Sequence, residues 1–218
     1  MLRDTDQMGS VPLDRRRFLQ SLGGGLLVLW TSPELVSAQE SGGGHRREGQ
    51  ELSQNISAWL HIAADSTIKV FTGKVEVGQN IRTSLTQAVA DELRCDPAAV
   101  NLLMGDTEFV PWDAGTFGSR TTPTMAPELR RMASTARELL IDTAANDWQA
   151  DRAQLQMKGG CILHQLSGRK ASVGELAAKV NWVEVIANPD CVTAPARWQV
   201  AGTSVPKVNG QEIVTGRH

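Results

Sequence analysis

The stretch GKVEVGQNIRTSLTQAVADEL, residues 73–93, predicts a change from extended chain to helix within a few residues. Residues 74–77 have the composition of a short strand, and apolar residues recur at helical spacing over residues 81–93. Gly78, Gln79 and Asn80 lie between these two patterns. A glycine there lets the backbone approach a ligand, and the helix N-terminus adds free N–H groups and a positive dipole end.

Two interpretations of this turn are open. Gln79 can donate and accept hydrogen bonds, which suits the edge of a heterocycle better than a bare anion. Alternatively, Gly78 only forms the turn, Asn80 caps the helix and Gln79 faces solvent.

A second loop, GDTEFVPWDAGTFGSRTT at residues 105–122, lies between a predicted strand and a long predicted helix. We expect this helix to begin between Pro123 and Pro127 and to end near Trp148, because apolar residues recur there at spacings of three and four. Residues 115–122 concentrate glycines, hydroxyls and Arg120, which are suited to phosphate, although they could simply cap the helix. Two such loops, each ahead of a helix, favour one extended, phosphorylated ligand bound by both.

The other patterns predict an α+β fold, a small mixed sheet with two main helices packed on it. Ser172 and Glu175 form a capping box, and Gly159 and Gly160 indicate a tight hairpin turn. From residue 181 the pattern thins into prolines and tryptophans, as in surface loops or a segment that awaits another domain. The remaining predicted elements are strands at 59–62, 68–71 and 100–104, a hairpin at 155–164 and a short helix at 176–180.

Residues 1–38 have the features of a twin-arginine export signal. Arg15 and Arg16 precede a weakly apolar run at residues 22–30, and Ala38 ends a small-x-small cleavage pattern. An ordinary Sec signal or a retained segment are the alternatives, but three consecutive glycines would each cost about 1 kcal/mol in a buried helix. We therefore expect a periplasmic protein cleaved after Ala38, with a flexible linker at residues 39–56.

Composition excludes several classes of function. The chain has 22 basic and 24 acidic residues and no basic stripe, so nucleic acid is not an expected partner. After signal cleavage, no run approaches the roughly 20 apolar residues of a membrane span. Cys95, Cys161 and Cys191 are far apart and the four histidines are scattered, so we assign no protein-ligated metal. Two of the cysteines could pair, or all three could be small buried residues.

Residues 72–93 and 104–125 together closely resemble the large subunits of molybdenum hydroxylases, the xanthine dehydrogenase and aldehyde oxidase family, which includes carbon monoxide dehydrogenase. The nearest likeness is to isoquinoline 1-oxidoreductase β subunits and periplasmic aldehyde dehydrogenases. The family pattern has a glycine where this chain has Asn80, and an Asp-Gly turn where it has Asp65 and Ser66. The resemblance implies that molybdopterin cytosine dinucleotide is bound by Gly78, Gln79, Asn80, Gly118, Ser119, Arg120 and Thr121.

The resemblance also implies a domain plan. Residues 57–150 correspond to the molybdopterin-binding α+β domain, and residues 151–218 to a hairpin and helix extension with a lead-in to a missing domain. Family members continue into a hammerhead-like domain and a late catalytic glutamate, so we assign no catalytic residue to this chain. Glu76, Asp106 and Asp113 are loop carboxylates without such a role.

The implied function is that of the N-terminal cofactor-binding portion of a periplasmic molybdenum hydroxylase. Such an enzyme oxidises aldehydes or N-heterocycles with oxygen from water. The expected partners are the chain carrying the remaining molybdopterin-binding part, a subunit with 2Fe–2S clusters and, as a candidate acceptor, a c-type cytochrome. The alternatives are a non-catalytic, cofactor-holding remnant and an independent α+β domain whose loops are only helix caps.

Overall fold

The computed structural model describes residues 25–31, 56–180, 182–185 and 191–217. A five-stranded sheet has the order β4-β3-β2-β1-β8, and a three-stranded sheet has the order β5-β6-β7. The strands are β1 Gly25–Thr31, β2 Ile56–Ala63, β3 Ile68–Thr72, β4 Val100–Met104, β5 Leu155–Lys158, β6 Cys161–His164, β7 Lys170–Ser172 and β8 Trp182–Val185. The helices are α1 Ile81–Glu92, α2 Thr121–Trp148, α3 Val173–Ala177 and α4 Gly210–Val214.

The larger sheet is mixed. β2 pairs antiparallel with β1 and β3, whereas β3 and β4 are parallel, as are β1 and β8. The two long helices, α1 and α2, pack against each other and against this sheet. The predicted α+β class, a small mixed sheet with two main helices, is therefore confirmed. Among the described residues, no helix has both the length and the hydropathy needed to cross a membrane.

One large apolar core joins the two sheets and the helices α1, α2 and α3, and Leu27, Leu29 and Trp59 form a second, small cluster. α1 contributes residues one turn apart, because side chains four positions apart lie on the same helix face. Residues 151–180 contribute to the same cluster as residues 58–144. The buried residues include Leu60, Ile62, Val70, Leu85, Val89, Leu129, Met132, Leu140, Ile162 and Leu176.

Several elements differ from the prediction, and three of the differences have a clear local cause. Residues 74–77 form no strand, because the N–H of Val75 donates to Thr116 Oγ1 at 2.9 Å instead of to a neighbouring strand. α2 begins at Thr121, ahead of Pro123, since the first turn of a helix needs no proline N–H. α3 begins at Val173, directly after its capping residue.

Local turn chemistry was predicted correctly at the second sheet. Gly159 and Gly160 have φ angles of 58° and 68° and connect β5 to β6. Both hydrogen bonds of the capping box form, one from Glu175 N to Ser172 Oγ and one from Ser172 N to Glu175 Oε2.

The turn between β2 and β3 shows how the chain accommodates Ser66 in place of the family's glycine. Ser66 has a φ of 69°, a left-handed conformation that favours glycine. Its hydroxyl accepts a hydrogen bond from the N–H of Gly174 at 3.1 Å. A Cβ on Gly174 would lie 2.3 Å from Ser66 N, so α3 can approach this turn only through a glycine.

β1 comes from the segment whose sequence predicts an export signal. Leu26 and Val28 are completely buried in the core, and the strand lies between β2 and β8. Residues 1–24 and 32–55, which hold the paired arginines, the cleavage pattern and almost all of the predicted linker, lie outside the described residues.

Two consecutive carboxylates hold the end of α1. Glu92 is fully buried and receives Arg130 Nη2 at 2.5 Å and Arg137 Nη1 at 2.6 Å, both from α2. It also accepts from Thr193 N and, at 2.7 Å, from Thr193 Oγ1. This cluster, Glu92 with Arg130, Arg137 and Thr193, is called the Glu92 cluster below.

Asp91 binds the chain that follows residue 191. Its two carboxylate oxygens accept from Gln199 N at 3.0 Å and from Ala201 N at 3.2 Å. The guanidinium of Arg130 also lies 4.4 Å from the ring centroid of Trp198, a cation–π arrangement. Residues 191–201 are thereby fixed to α1 and α2.

We expect Glu92→Ala to lower the free energy of unfolding by about 3–5 kcal/mol, because Arg130 would lose its counter-charge and Arg137 would keep only Glu138. The matched control is Asp142→Ala, which removes an exposed partner of Arg152 and should cost less than about 1 kcal/mol. Urea unfolding of the full chain measures both. Equal losses in the two variants would contradict a structural role for the Glu92 cluster.

Candidate functional site

Two loops precede the two long helices, and they contact each other. The first loop is residues 73–80, ahead of α1, and the second loop is residues 105–120, ahead of α2. Lys74 Nζ donates to Asp113 Oδ1 and to the carbonyl oxygen of Gly115, both at 2.8 Å. The Lys74 and Asp113 side chains are only 12% and 9% exposed, so the ion pair is largely shielded from water.

Gly73 makes this contact sterically possible. A Cβ at that position would lie 2.4 Å from Asp113 Cβ and 2.7 Å from the carbonyl oxygen of Pro111, closer than real Cβ atoms approach. The chain therefore brings residues 73–75 and 111–116 together, as expected if both loops serve one ligand. What each loop binds stays a prediction.

The backbone amides of the first loop are already satisfied, because the carboxylate of Glu76 folds over the N-terminus of α1. Glu76 Oε1 accepts from the N–H groups of Gly78 and Asn80 at 2.9 Å, and Oε2 accepts from Arg82 N at 3.0 Å. This internal anion occupies the place that the sequence pattern predicts for a ligand.

The side chains of the first loop also close upon their own backbone. Gln79 Oε1 accepts from Val77 N at 2.6 Å, and Gln79 Nε2 donates to the carbonyl oxygen of Val75 at 3.0 Å. Asn80 has the left-handed φ of 65° that a glycine would take, and its Oδ1 accepts from Thr83 Oγ1. Glu76, rather than Asn80, therefore caps α1.

The pKa of Glu76 reflects two opposing effects. Burial of the carboxyl group raises its pKa, but hydrogen bonds from the backbone of Arg82, Asn80 and Gly78, aided by the charge of Lys207, outweigh burial. The pKa is therefore lower than that of an ordinary glutamate. The carboxylate is charged at neutral pH and complements the positive end of the α1 dipole.

The second loop differs from the first because several of its backbone amides are unpaired within the described ranges. Gly118 and Ser119 take left-handed φ angles of 60° and 56°, and both are exposed together with Arg120. Within the described ranges, the amides of Gly118, Ser119, Thr121 and Thr122 donate no hydrogen bond. These free amides lie at the N-terminus of the 28-residue helix α2, where an anion is stabilised.

The side chain of Arg120 completes the second loop. In the part of the chain that the structure describes, its guanidinium has no hydrogen-bonding or ion-pair partner. Thr121 differs from its neighbours because its side chain is buried, 7% exposed. Ser119 takes a left-handed conformation, which costs a non-glycine residue about 1–2 kcal/mol. Such strained backbone conformations are common at ligand sites.

Three apolar side chains of the two loops are exposed to solvent. Val77, Trp112 and Phe117 are 75%, 56% and 60% exposed. Isolated exposed apolar residues are ordinary, and what these three side chains contact stays a prediction.

Other candidate sites are weaker. No group of three or more histidine, cysteine or acidic side chains is placed to hold a metal ion in the described ranges. Cys95, Cys161 and Cys191 form no disulfide with one another, and burial raises the pKa of Cys95 to about 12, which makes it unreactive. A shallow cleft beside Trp148 and Arg169 lies at the C-terminal end of α2, about 40 Å along the helix from the second loop.

Three residues that shape the site were not predicted from the sequence. Lys74 and Asp113 are 39 positions apart, and nothing in the sequence pairs them. Glu76 could have been found, because an acidic residue just ahead of a helix is a capping signal.

Glu76→Gln should destabilise the chain by about 1–2 kcal/mol at pH 7, since the amide loses the charge and one acceptor atom. The lowered pKa of Glu76 means that its contribution is complete above the pKa of an unfolded glutamate. That contribution is lost as pH falls through the folded-state pKa. The difference from the unsubstituted chain should therefore shrink with acidification.

Urea unfolding between pH 7 and pH 3 measures this effect, with Glu108→Gln as control because Glu108 is exposed. A difference that is independent of pH would contradict the capping role of Glu76.

Relatives of this chain are known. It is 31% identical over 163 residues to a nicotinate dehydrogenase subunit of Pseudomonas putida, covering 75% of this chain and 14% of that protein. It is 34% identical over 142 residues to the beta subunit of isoquinoline 1-oxidoreductase of Brevundimonas diminuta, covering 59% of this chain and 17% of that protein. The chain thus spans less than a fifth of the length of these relatives.

A solved structure supports the fold. Reconstituted CO dehydrogenase from Oligotropha carboxidovorans matches with a TM-score of 0.50 and 23% identity, over 56% of this chain and 15% of that chain. The family model described as molybdopterin cofactor-binding domain matches residues 35–212, which include both loops, α1 and α2. This chain therefore belongs to the molybdopterin cofactor-binding domain family.

Proposed function

We propose that this chain is the N-terminal cofactor-binding portion of a periplasmic molybdenum hydroxylase and that a second chain completes the catalytic unit. The observation that carries the proposal is the second loop. It presents unpaired amides and a free guanidinium at the N-terminus of a 28-residue helix within the described part of the chain. These donors suit the phosphate groups of a molybdopterin dinucleotide.

In this proposal the two loops contact different parts of the cofactor. Gly118, Ser119, Arg120 and Thr121 would hold phosphate oxygens through backbone amides, a hydroxyl and the guanidinium. The first loop fits a phosphate poorly, because Glu76 already occupies the amides of Gly78 and Asn80. Gly78, Gln79 and Asn80 would instead present a rigid, neutral edge to the ring part of the cofactor. When bound, the cofactor supplies the molybdenum centre for oxidation with water-derived oxygen.

The names of the relatives suggest a substrate class for the proposal. Their names refer to nicotinate and isoquinoline, both N-heterocycles. We therefore place N-heterocycles ahead of aldehydes as substrates.

The described carboxylates of the loops are engaged within the protein: Glu76 caps α1, Asp113 binds Lys74, and Asp106 accepts from Glu108 N. The catalytic base would accordingly come from the second chain.

Further partners belong to the same proposal. Electrons leaving the molybdenum centre would pass to a subunit with 2Fe–2S clusters, and a c-type cytochrome is a candidate acceptor beyond it. The exposed side chains of Val77, Trp112 and Phe117 would be covered by the cofactor or by the second chain. A cofactor-holding remnant without turnover remains the second candidate, because the loop carboxylates Glu76, Asp106 and Asp113 are all engaged within the protein.

Gly118→Val tests the cofactor site. Valine strongly disfavours a φ of 60°, although a Cβ would find ordinary contacts there, so the loss comes from the backbone. We expect the molybdenum content of the co-purified complex to fall about tenfold, equivalent to a loss of about 1.4 kcal/mol in binding. Acid hydrolysis of the unsubstituted complex should release CMP if the cofactor is the cytosine dinucleotide.

The matched control is Gly159→Val. Gly159 has nearly the same φ, 58°, and equally open surroundings, but it lies in the β5–β6 hairpin. This variant should retain normal molybdenum. Equal molybdenum content in the two variants would overturn the assignment of the second loop.

Export gives a separate test. Arg15→Lys together with Arg16→Lys should leave the protein in the cytoplasm, since the paired arginines are what the twin-arginine system reads. Arg46→Lys with Arg47→Lys is the control, because that arginine pair follows the predicted cleavage site. Cell fractionation and N-terminal sequencing should find mature protein beginning at Gln39 in the control alone. Normal export of the first variant would contradict the proposal.

A further inference from the structure

One face of α1 binds the backbone of a segment that is distant in the chain. Thr83, Gln87 and Asp91 recur at intervals of four, so their side chains lie in one row along the helix. Together they bind residues 199–208, which are called the strap below. The strap runs antiparallel to α1, because its first residues contact Asp91 and its last residues contact Thr83.

The contacts of this row join side chains of α1 to the backbone of the strap. Gln87 Nε2 donates to the carbonyl oxygens of Val200 at 2.9 Å and Thr203 at 3.0 Å. Thr83 Oγ1 accepts from Val208 N at 3.1 Å. Because these contacts fix the strap along its length, its last residues are held at the N-terminus of α1.

The strap ends against the first loop, which it contacts in two ways. Lys207 Nζ lies 3.8 Å from Glu76 Oε1, and the two side chains are 29% and 10% exposed, so the pair is partly shielded from water. The second contact runs through Thr83, whose hydroxyl accepts from Val208 N and donates to Asn80 Oδ1 at 2.7 Å. The strap therefore reaches both the residue that caps α1 and the residue that ends the turn.

Asn80 is the residue of the first loop that most needs such support. Its φ of 65° is a conformation that glycine adopts freely and that is strained for other residues. Asparagine tolerates this conformation when its short side chain forms a local hydrogen bond, and here that bond comes from Thr83 Oγ1. The hydroxyl that binds the strap thus also stabilises the turn.

Lys207 is the cation that acts on Glu76. Two further cations of the region are engaged elsewhere: Lys74 binds Asp113, and the guanidinium of Arg82 donates to a carbonyl oxygen of β4. Burial raises the pKa of Glu76, but the backbone hydrogen bonds and then the charge of Lys207 lower it by more. The ammonium group thus favours the charged carboxylate that accepts from the amides of the first loop.

We propose that the strap is a positioning segment of the cofactor site and that Lys207 is its positioning residue. The strap holds Glu76 over the amides of the first loop and supports the turn at Asn80, so residues 78–80 keep one conformation. This inference rests on the proposed function, which assigns those residues to the ring part of the cofactor. Val208 and Thr83 are 125 positions apart, so the order of the first loop depends on a distant segment.

The charge of Lys207 is tested by NMR on the full chain without cofactor. The titration of the Glu76 carboxyl carbon and the exchange of the Gly78 and Asn80 amides are followed in Lys207→Gln. Loss of the ammonium group should raise the midpoint of Glu76 by about 0.5 pH unit and lower the protection of both amides about threefold at pH 7. The carboxylate would then leave the amides at a higher pH than in the unsubstituted chain.

Two further variants control this titration. Lys207→Arg keeps the positive charge and should restore both values. Lys170→Gln removes an exposed lysine of β7 and should change neither. An unchanged midpoint in Lys207→Gln, or an equal shift in Lys170→Gln, would overturn the proposal.

Gln87→Ala tests whether the row on α1 acts through the strap. Gln87 binds the strap about two helical turns from Asn80, so its loss should release Lys207 from Glu76 and lower the protection of the Gly78 amide. Lys207→Gln should then add no further change. An unchanged first loop in Gln87→Ala, or additive effects of the two substitutions, would overturn the transmission through the strap.

The control for Gln87→Ala is Asn146→Ala, which removes an exposed amide side chain from α2 and should leave the first loop unchanged. The backbone amides of α2 are measured in every variant. They should keep their protection, which separates a local change in the first loop from general unfolding. A parallel loss of protection in α2 would overturn the positioning role.

Molybdenum content separates this inference from the proposed function. In the co-purified complex, Lys207→Gln should lower the molybdenum content about threefold, whereas Lys170→Gln should leave it normal. Normal molybdenum in Lys207→Gln would overturn the role of the strap in cofactor binding alone. An unsubstituted complex without molybdenum would overturn the proposed function, and the titration of the chain without cofactor would still decide whether the strap orders the first loop.

Discussion

The buried charge of Glu92 is the constraint on which the rest of this molecule depends. Carboxylates in the last turn of a helix oppose the helix dipole, and burial adds a desolvation cost. Arg130 and Arg137 of α2, with the amide and hydroxyl of Thr193, compensate for both. Because both guanidinium groups come from α2, this one carboxylate fixes the relation of α1 to α2, and it also holds the chain around Thr193.

The positions of the two loops follow from that relation. Each loop ends where a long helix begins, so once α1 and α2 are locked together their N-termini are locked as well. Lys74 then joins the loops directly through Asp113 and the carbonyl of Gly115. The two helix ends nevertheless differ: Glu76 neutralises the first, and the second keeps its amides free within the described ranges. The N-terminus of α1 is thus capped by a carboxylate, whereas that of α2 has no side-chain cap among the described residues.

The sheet is held together differently from the helices. Its central strand β2 is paired on one side by β3, which leads directly into the first loop, and on the other by β1. β1 satisfies the apolar demands of its position, with Leu26 and Val28 completely buried, but it leaves His61 without a partner among the described residues. The helices and loops of the site are thus stabilised by charge pairs, whereas the sheet around β1 is stabilised by apolar burial.

Local spacing in the sequence was enough to predict much of the secondary structure and the family. Apolar periodicity predicted the bounds of α1 to within one residue and those of β4 as observed. It also predicted the α+β class. Glycine pairs and the Ser172–Glu175 capping box predicted the β5–β6 hairpin and the existence of α3, and the two loop patterns predicted the family. Each of these signals acts over a few residues, so a linear sequence contains it.

The contacts between polar side chains could be identified only from the folded structure. The partners of Glu92 lie 38, 45 and 101 positions away, and the Lys74–Asp113 pair is separated by 39, distances over which no periodicity operates. The assignment of residues 25–31 to a strand was likewise invisible in the sequence. A short apolar run has the same composition in an export signal and in a buried strand, and only the edges of β2 and β8 that it pairs with distinguish the two.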